Sequence, residues 1–189
     1  LGGVDGHDHD GCEDGDDADH KQKTRERVLK VAAREIREQG PHRVGIAGVM
    51  AKAGLTHGGF YAHFASKDDL VASAIGEMFR EAKVRQQRAW GRLGPAEGLA
   101  AYVDFYLSNE HRDTRTAGCP LPFLSADAPR LDEAARNRFA AGVASLTQTL
   151  AELLAAVGHA DAEVLASSML SEMVETTLDR MSRGGMYDQ

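Results

Sequence analysis

Between Thr56 and Lys67 the chain sets hydrogen-bonding and cationic side chains at close spacing: Thr56, His57, Tyr61, His63 and Lys67, with Gly58 and Gly59 among them and Phe60 and Phe64 interleaved. None of these is a strong nucleophile, and together they close no metal-ligand set. They can donate to phosphate oxygens and reach base edges, which is recognition chemistry rather than covalent chemistry. A second group lies downstream, where Trp90, Tyr102, Phe105, Tyr106, Phe123 and Leu124 offer aromatic and apolar surface with a few polar tips. Such a set suits a partly apolar small molecule, although aromatic side chains go to plain core more often than to ligands. Cys119 stands within Ala117-Gly118-Cys119-Pro120-Leu121, ahead of a helix start. A thiol at a helix N-terminus can be activated, but free cysteine is usually buried, and the buried reading is favoured. No G-x-S-x-G, H-E-x-x-H, phosphate-binding loop or dinucleotide fingerprint occurs, so neither an enzyme activity nor a cofactor is expected.

The charge balance is uneven along the chain. The net charge is −7, yet residues 21–80 carry eleven Lys or Arg against six acids, while residues 81–189 carry eleven against fifteen. Residues 1–20 hold seven Asp and one Glu with no Lys or Arg. A basic block beside a larger acidic one is the footprint of a nucleic-acid-reading module joined to a different kind of domain. Residues 1–20 have too few apolar side chains to offset the entropy of ordering and read as a disordered tail. His7, His9, Cys12 and His20 in that tail could hold Ni, Cu or Zn loosely, but their spacing matches no closed zinc site, and no metal site is expected. Two cysteines imply no disulfide framework, and no apolar run approaches the roughly 20 residues of a membrane span, so a cytoplasmic protein is expected, with no membrane partner.

Apolar periodicity then supplies the elements that must position these groups. Val28, Leu29, Val31, Ala32, Ala33 and Ile36 recur at helical spacing until Gly40-Pro41, which predicts a helix over about 22–39. Val49-Met50-Ala51 and His57–Phe64 read as two short helices joined at Gly54, with Thr56 as the N-cap of the second. Ser66 and Asp69 resemble a capping box opening a long helix over about 67–91. A helix through Leu99, Tyr102, Phe105 and Leu107 follows, then a charged connection over 110–115 and a short element around 121–128. Two long helices, 131–156 and 160–182, close an all-α chain.

The stretch VGIAGVMAKAGLTHGGFYAHFASKDDL has the parts of a helix-turn-helix, in which the second helix enters the major groove. Ala53-Gly54-Leu55-Thr56, Gly58, Phe60-Tyr61, His63-Phe64, Ser66-Lys67 and Leu70 resemble the TetR/AcrR signature. The resemblance implies a three-helix DNA-binding head over 21–66 and a larger helical body over 67–189. It also implies a homodimer held by residues 131–156 and 160–182, a near-palindromic double-stranded operator, and release of the DNA by a small-molecule effector bound in the body. The chain departs from the common pattern at Gly45, Gly48 and Gly59, where side chains able to touch bases are absent. On this reading Lys23, Arg43, Thr56, His57, Gly58, Gly59, Tyr61, His63 and Lys67 are the candidate DNA contacts, with Phe60 and Phe64 as core. Trp90, Tyr102, Phe105, Tyr106, Cys119, Phe123 and Leu124 are the candidate effector contacts. Two alternatives stay open: a repressor that senses thiols or electrophiles through Cys119, and a helical small-molecule-binding dimer without DNA function.

Overall fold

The structure, a computed structural model, describes residues 13–114, 116 and 118–183. Its helices are α1 (Glu13–Gln39), α2 (Ile46–Lys52), α3 (Lys67–Trp90), α4 (Pro95–Tyr106), α5 (Asn109–Asp113), α6 (Pro120–Leu124), α7 (Glu133–Ala156) and α8 (Ala162–Arg183). Two 3₁₀ segments, His57–Ala62 and Ala128–Arg130, complete the order, and no strand occurs among the described residues.

Helix α1 buries Val28, Leu29, Ala32, Ala33 and Ile36, the stripe read from the sequence. It ends where the Gly40 N–H meets the Ile36 carbonyl at 2.9 Å with Gly40 at φ +82. Its start differs from expectation, because residues 13–20, assigned to a disordered tail, continue the helix. Acidic side chains such as Asp17 and Asp19 near a helix N-terminus complement its dipole, and Asp19 pairs with Lys23 one turn on at 2.5 Å. Residues 1–12 of the expected tail, with His7, His9 and Cys12, lie outside the described residues; His20 is on α1 and exposed.

Helix α3 starts on Ser66, whose hydroxyl accepts from the Asp69 N–H at 3.0 Å. The Asp69 carboxylate reaches back to the Ala65 N–H at 2.9 Å, so the reciprocal bond lands one residue before the cap. Helix α4 begins at Pro95, a residue whose missing N–H costs nothing in a first turn. The charged connection expected over 110–115 contains a helix instead. Ser108 caps α5 by accepting from the His111 N–H at 3.0 Å, and a polar cap of this kind leaves little apolar periodicity to find.

Helix α3 is shared between two packing units. It lies against α1 on one side and against α4 and α7 on the other, and a continuous core runs from Val28 to Met173. Arg37 of α1 strengthens this junction: its buried guanidinium pairs with Glu81 of α3 at 2.9 Å and donates to the Thr116 carbonyl ahead of α6 at 3.2 Å. Burial pulls the Arg37 pKa down, and Glu81 opposes that pull. Helix α7 is long and apolar enough to cross a membrane by length and composition, but here it packs against α3, α4 and α8.

Candidate nucleic-acid interface and body cavities

The turn between α2 and the 3₁₀ segment is built on Gly54, which adopts φ +70 so that the Leu55 N–H can meet the Met50 carbonyl at 2.9 Å. Phe60 and Phe64 then stack at 5.6 Å between ring centres and are fully or nearly fully buried, as their spacing implies. Arg25 of α1 lies over the Phe64 ring at 4.8 Å and donates to Ser73 of α3 at 3.1 Å. These anchors hold the segment rigidly from below. What they present outward is Thr56, His57, Gly58 and Tyr61, the last 67% exposed and edge-on to Phe60.

The presenting element is a 3₁₀ helix of six residues rather than the α-helix expected from 57. Two consecutive glycines resist α-helix formation, and the Gly59 N–H bonds the Thr56 carbonyl at 3.2 Å in the tighter pattern. The Thr56 side chain makes no capping bond, contrary to expectation, and its hydroxyl is left for an outside partner. Gly45, the N-cap of α2, and Ala47 and Gly48 within it are also exposed. A Cβ placed at Gly45, Gly48 or Gly58 would meet nothing within 4 Å among the described residues, so no internal crowding demands glycine there.

The remaining DNA candidates divide. Arg43 is exposed on the loop before α2. Lys23 is exposed and engaged with Asp19. Lys67 is already committed, its ammonium donating to the His42 carbonyl at 3.1 Å. His63 is half-buried with Nδ1 lacking a partner among the described residues, and burial together with Lys21 and Arg25 holds its pKa below the usual value. A neutral ring is therefore what His63 offers.

In the body, four effector candidates come together. Trp90, Phe105, Tyr106 and Cys119 line a cavity of about 70 Å³ with Arg85 and Gln86. Trp90 and Tyr102 also line a neighbouring cavity of about 370 Å³ between α3, α4 and α7, with Gln86, Ser145, Thr149 and Leu153. Phe123 and Leu124 line neither; Phe123 covers Gly118, and Leu124 is fully buried core. The glutamines and hydroxyls of these walls escaped sequence reading because nothing distinguishes them from surface residues of a polar helix face.

Cys119 is buried at the start of α6, and burial pushes its thiol pKa up despite Arg37 and Arg85 nearby. His111 is fully buried and spans the site: Nδ1 lies 2.8 Å from the Tyr106 carbonyl and Nε2 accepts from the Cys119 N–H at 3.1 Å. Those partners fix the neutral tautomer with hydrogen on Nδ1, and burial pulls the ring's pKa down. The sequence placed His111 near Cys119 only along the chain.

Residues 28–74 match the family described as "Bacterial regulatory proteins, tetR family". Over 124 residues the chain is 32% identical to uncharacterized HTH-type transcriptional regulators from two strains of Mycobacterium tuberculosis; the match covers 65% of this chain and 61% of theirs. Among solved structures, the fold is similar to Escherichia coli NemR in its reduced form, with a TM-score of 0.76 at 19% identity over 85% of this chain and 89% of that one. It is likewise similar to a TetR transcriptional regulator from Chloroflexus aurantiacus, with a TM-score of 0.71 at 23% identity over 87% and 94%.

Proposed function

We propose that the chain, whose residues 28–74 match the tetR family of bacterial regulatory proteins, is a member of that family and a repressor that binds a near-palindromic operator as a homodimer and leaves it when a small molecule occupies the body. Residues 21–66 act as the DNA-reading head and residues 67–189 as the sensing and dimerising body, in the cytoplasm. The observation that carries this reading is the outer face of the head: Thr56, His57, Gly58 and Tyr61 stand exposed over a buried Phe60–Phe64 anchor, and no neighbour requires glycine at 45, 48 or 58. A backbone bared in this way admits close approach of a duplex edge.

The two recognition segments of a dimer would sit roughly 34–36 Å apart, one turn of B-DNA, or a multiple of that. Dimerisation through 131–156 and 160–182 is supported by Val164, Leu165 and Leu178 of α8, which remain exposed, and by an open groove of about 610 Å³ running past Val143, Leu170 and Val174. An effector that prefers the DNA-free state about 100-fold would weaken operator binding by about 2.7 kcal/mol. Sensing through Cys119 is the weaker reading, because the thiol is buried and its pKa raised.

A mobility shift with the chain's own upstream promoter DNA, run at several salt concentrations against unrelated DNA, tests the reading. Specific binding that falls steeply with salt is expected. Equal retention of both DNAs, from a chain that is dimeric in solution, would instead favour the helical dimer without DNA function.

A further inference from the structure

The two body cavities are not independent, because Gln86 and Trp90 line both. On α4, Tyr102 and Tyr106 stand one turn apart with their rings stacked at 6.1 Å, Tyr102 on the larger cavity and Tyr106 on the smaller. Both side chains are essentially fully buried, and neither hydroxyl meets a partner with good hydrogen-bond geometry among the described residues, with the Gln86 amide nearest Tyr102 and the Cys119 thiol nearest Tyr106. Buried phenol hydroxyls ordinarily find a partner, so a pair left unmet beside open volume marks a place where an acceptor belongs.

We propose that the space around Trp90 and Gln86 is one binding site for an uncharged, ring-containing, largely apolar molecule that presents an acceptor oxygen to the Tyr102 and Tyr106 hydroxyls. This rests on the reading of the body as the sensing half and names the class of effector it takes.

The wall chemistry sets the class. Trp90 packs at 5.4 Å on Tyr102 and at 5.6 Å on Phe105, an aromatic floor suited to another ring. Around it, Gln86, Ser145 and Thr149 are neutral hydrogen-bonding groups, and the Thr149 hydroxyl already donates to the Ser145 carbonyl at 3.0 Å. Full charges lie at the edges: Lys83 and Glu152, of opposite sign, are exposed at the larger cavity's mouth, and Arg85 borders only the smaller one. Burial, and then the Cys119 sulfur, push both phenol pKa values up, with Gln86 opposing the rise at Tyr102, so both stay protonated donors. A charged ligand placed against Tyr102 in the larger cavity would be desolvated away from Arg85, which borders only the smaller one, and from the exposed Lys83 and Glu152. The larger cavity, at about 370 Å³, falls within the range of small-molecule sites.

Trp90 is the single tryptophan of the chain, so its emission reports on this site alone. Full-length protein is titrated by calorimetry with benzophenone, with diphenylmethane, which keeps the rings but lacks the oxygen, and with 4-benzoylbenzoate, which adds a carboxylate. Trp90 emission is followed in parallel. Benzophenone is expected to bind one per chain, at least tenfold tighter than either relative, and to change Trp90 emission. The Tyr102→Phe/Tyr106→Phe double variant should bind benzophenone about tenfold more weakly and lose the preference over diphenylmethane, with helicity and melting temperature kept. Absence of benzophenone binding, equal or tighter binding of 4-benzoylbenzoate, or an unchanged preference in the double variant would each overturn the site. Operator affinity measured with benzophenone bound separates the two readings: an unchanged affinity leaves the site standing and overturns only its role in release.

Discussion

In the head, Phe60 and Phe64 are sealed from solvent, while Gly45, Gly48 and Gly58 on the outside have nothing within 4 Å of where a side chain would begin. In the body the open space is inside: two buried tyrosine hydroxyls lack a partner with good hydrogen-bond geometry among the described residues, beside cavities of about 370 and 70 Å³. A surface that must fit a rigid duplex gains from a close-packed interior and a bared exterior. A site that must admit a small molecule leaves polar groups unmet in its interior, at a cost in stability that the ligand removes. Helix α3 and the buried Arg37 join the two, so that what happens around Cys119 and Thr116 bears on α1 of the head.

The largest effect expected from this contrast comes from the head's anchor. Phe60→Ala should cost about 3–5 kcal/mol in denaturant unfolding and take DNA binding with it. Tyr102→Phe, at a site of similar burial in the body, should leave stability unchanged or raised, because it removes an unmet hydroxyl rather than a contact. A large loss from Tyr102→Phe would break the comparison.

Next in size is a pH effect in the body. His111 has a pKa below its ordinary 6.5 because it is buried, so the unfolded chain takes up the proton more readily than the folded one. The stability contributed by neutral His111 is present above pH 6.5 and is lost as pH falls toward the depressed value, at up to about 1.4 kcal/mol per pH unit. His63 shifts in the same direction in the head. Unfolding free energy followed from pH 7.5 to 5.5 should therefore fall, and the fall should be shallower in His111→Gln. An identical slope in that variant would assign the effect to other groups.

The smallest expected change is the most discriminating between stability and function. Gly48 lies inside α2 with open space around it, so Gly48→Ala should raise stability by about 0.5–1 kcal/mol. The same methyl group should weaken operator binding if the duplex approaches this backbone. Thermal melts and anisotropy on the same sample check both signs.

How much of this was visible in the sequence follows the same division. The head was readable because its signals are local: Gly54 at the turn, Phe60 and Phe64 four apart, Ser66 as a cap, and a stripe ending at Gly40 all act within a few residues. The errors there were local as well, since glycine at 58 and 59 tightened the second segment to 3₁₀ and left Thr56 uncapping. The body was readable as helices but not as a site. Trp90, Phe105, Tyr106 and Cys119 were named from residue type, whereas Gln86 and Arg85 join them only through the packing of α3 against α4 and α6. Phe123 and Leu124 look no different in sequence from true lining residues; their place was decided by how α6 lies. The bond from the Cys119 N–H to His111 depends on α5, a helix too short and polar to announce itself.

The central claim is that the exposed face at Thr56–Tyr61 reads DNA while the residues beneath it only hold it. Anisotropy of labelled upstream promoter DNA at fixed salt, comparing wild type with Tyr61→Ala, tests this most directly. Tyr61 is 67% exposed, so the variant should melt within about 0.5 kcal/mol of wild type yet bind at least tenfold more weakly. Equal affinity of the two proteins for the promoter would contradict the account.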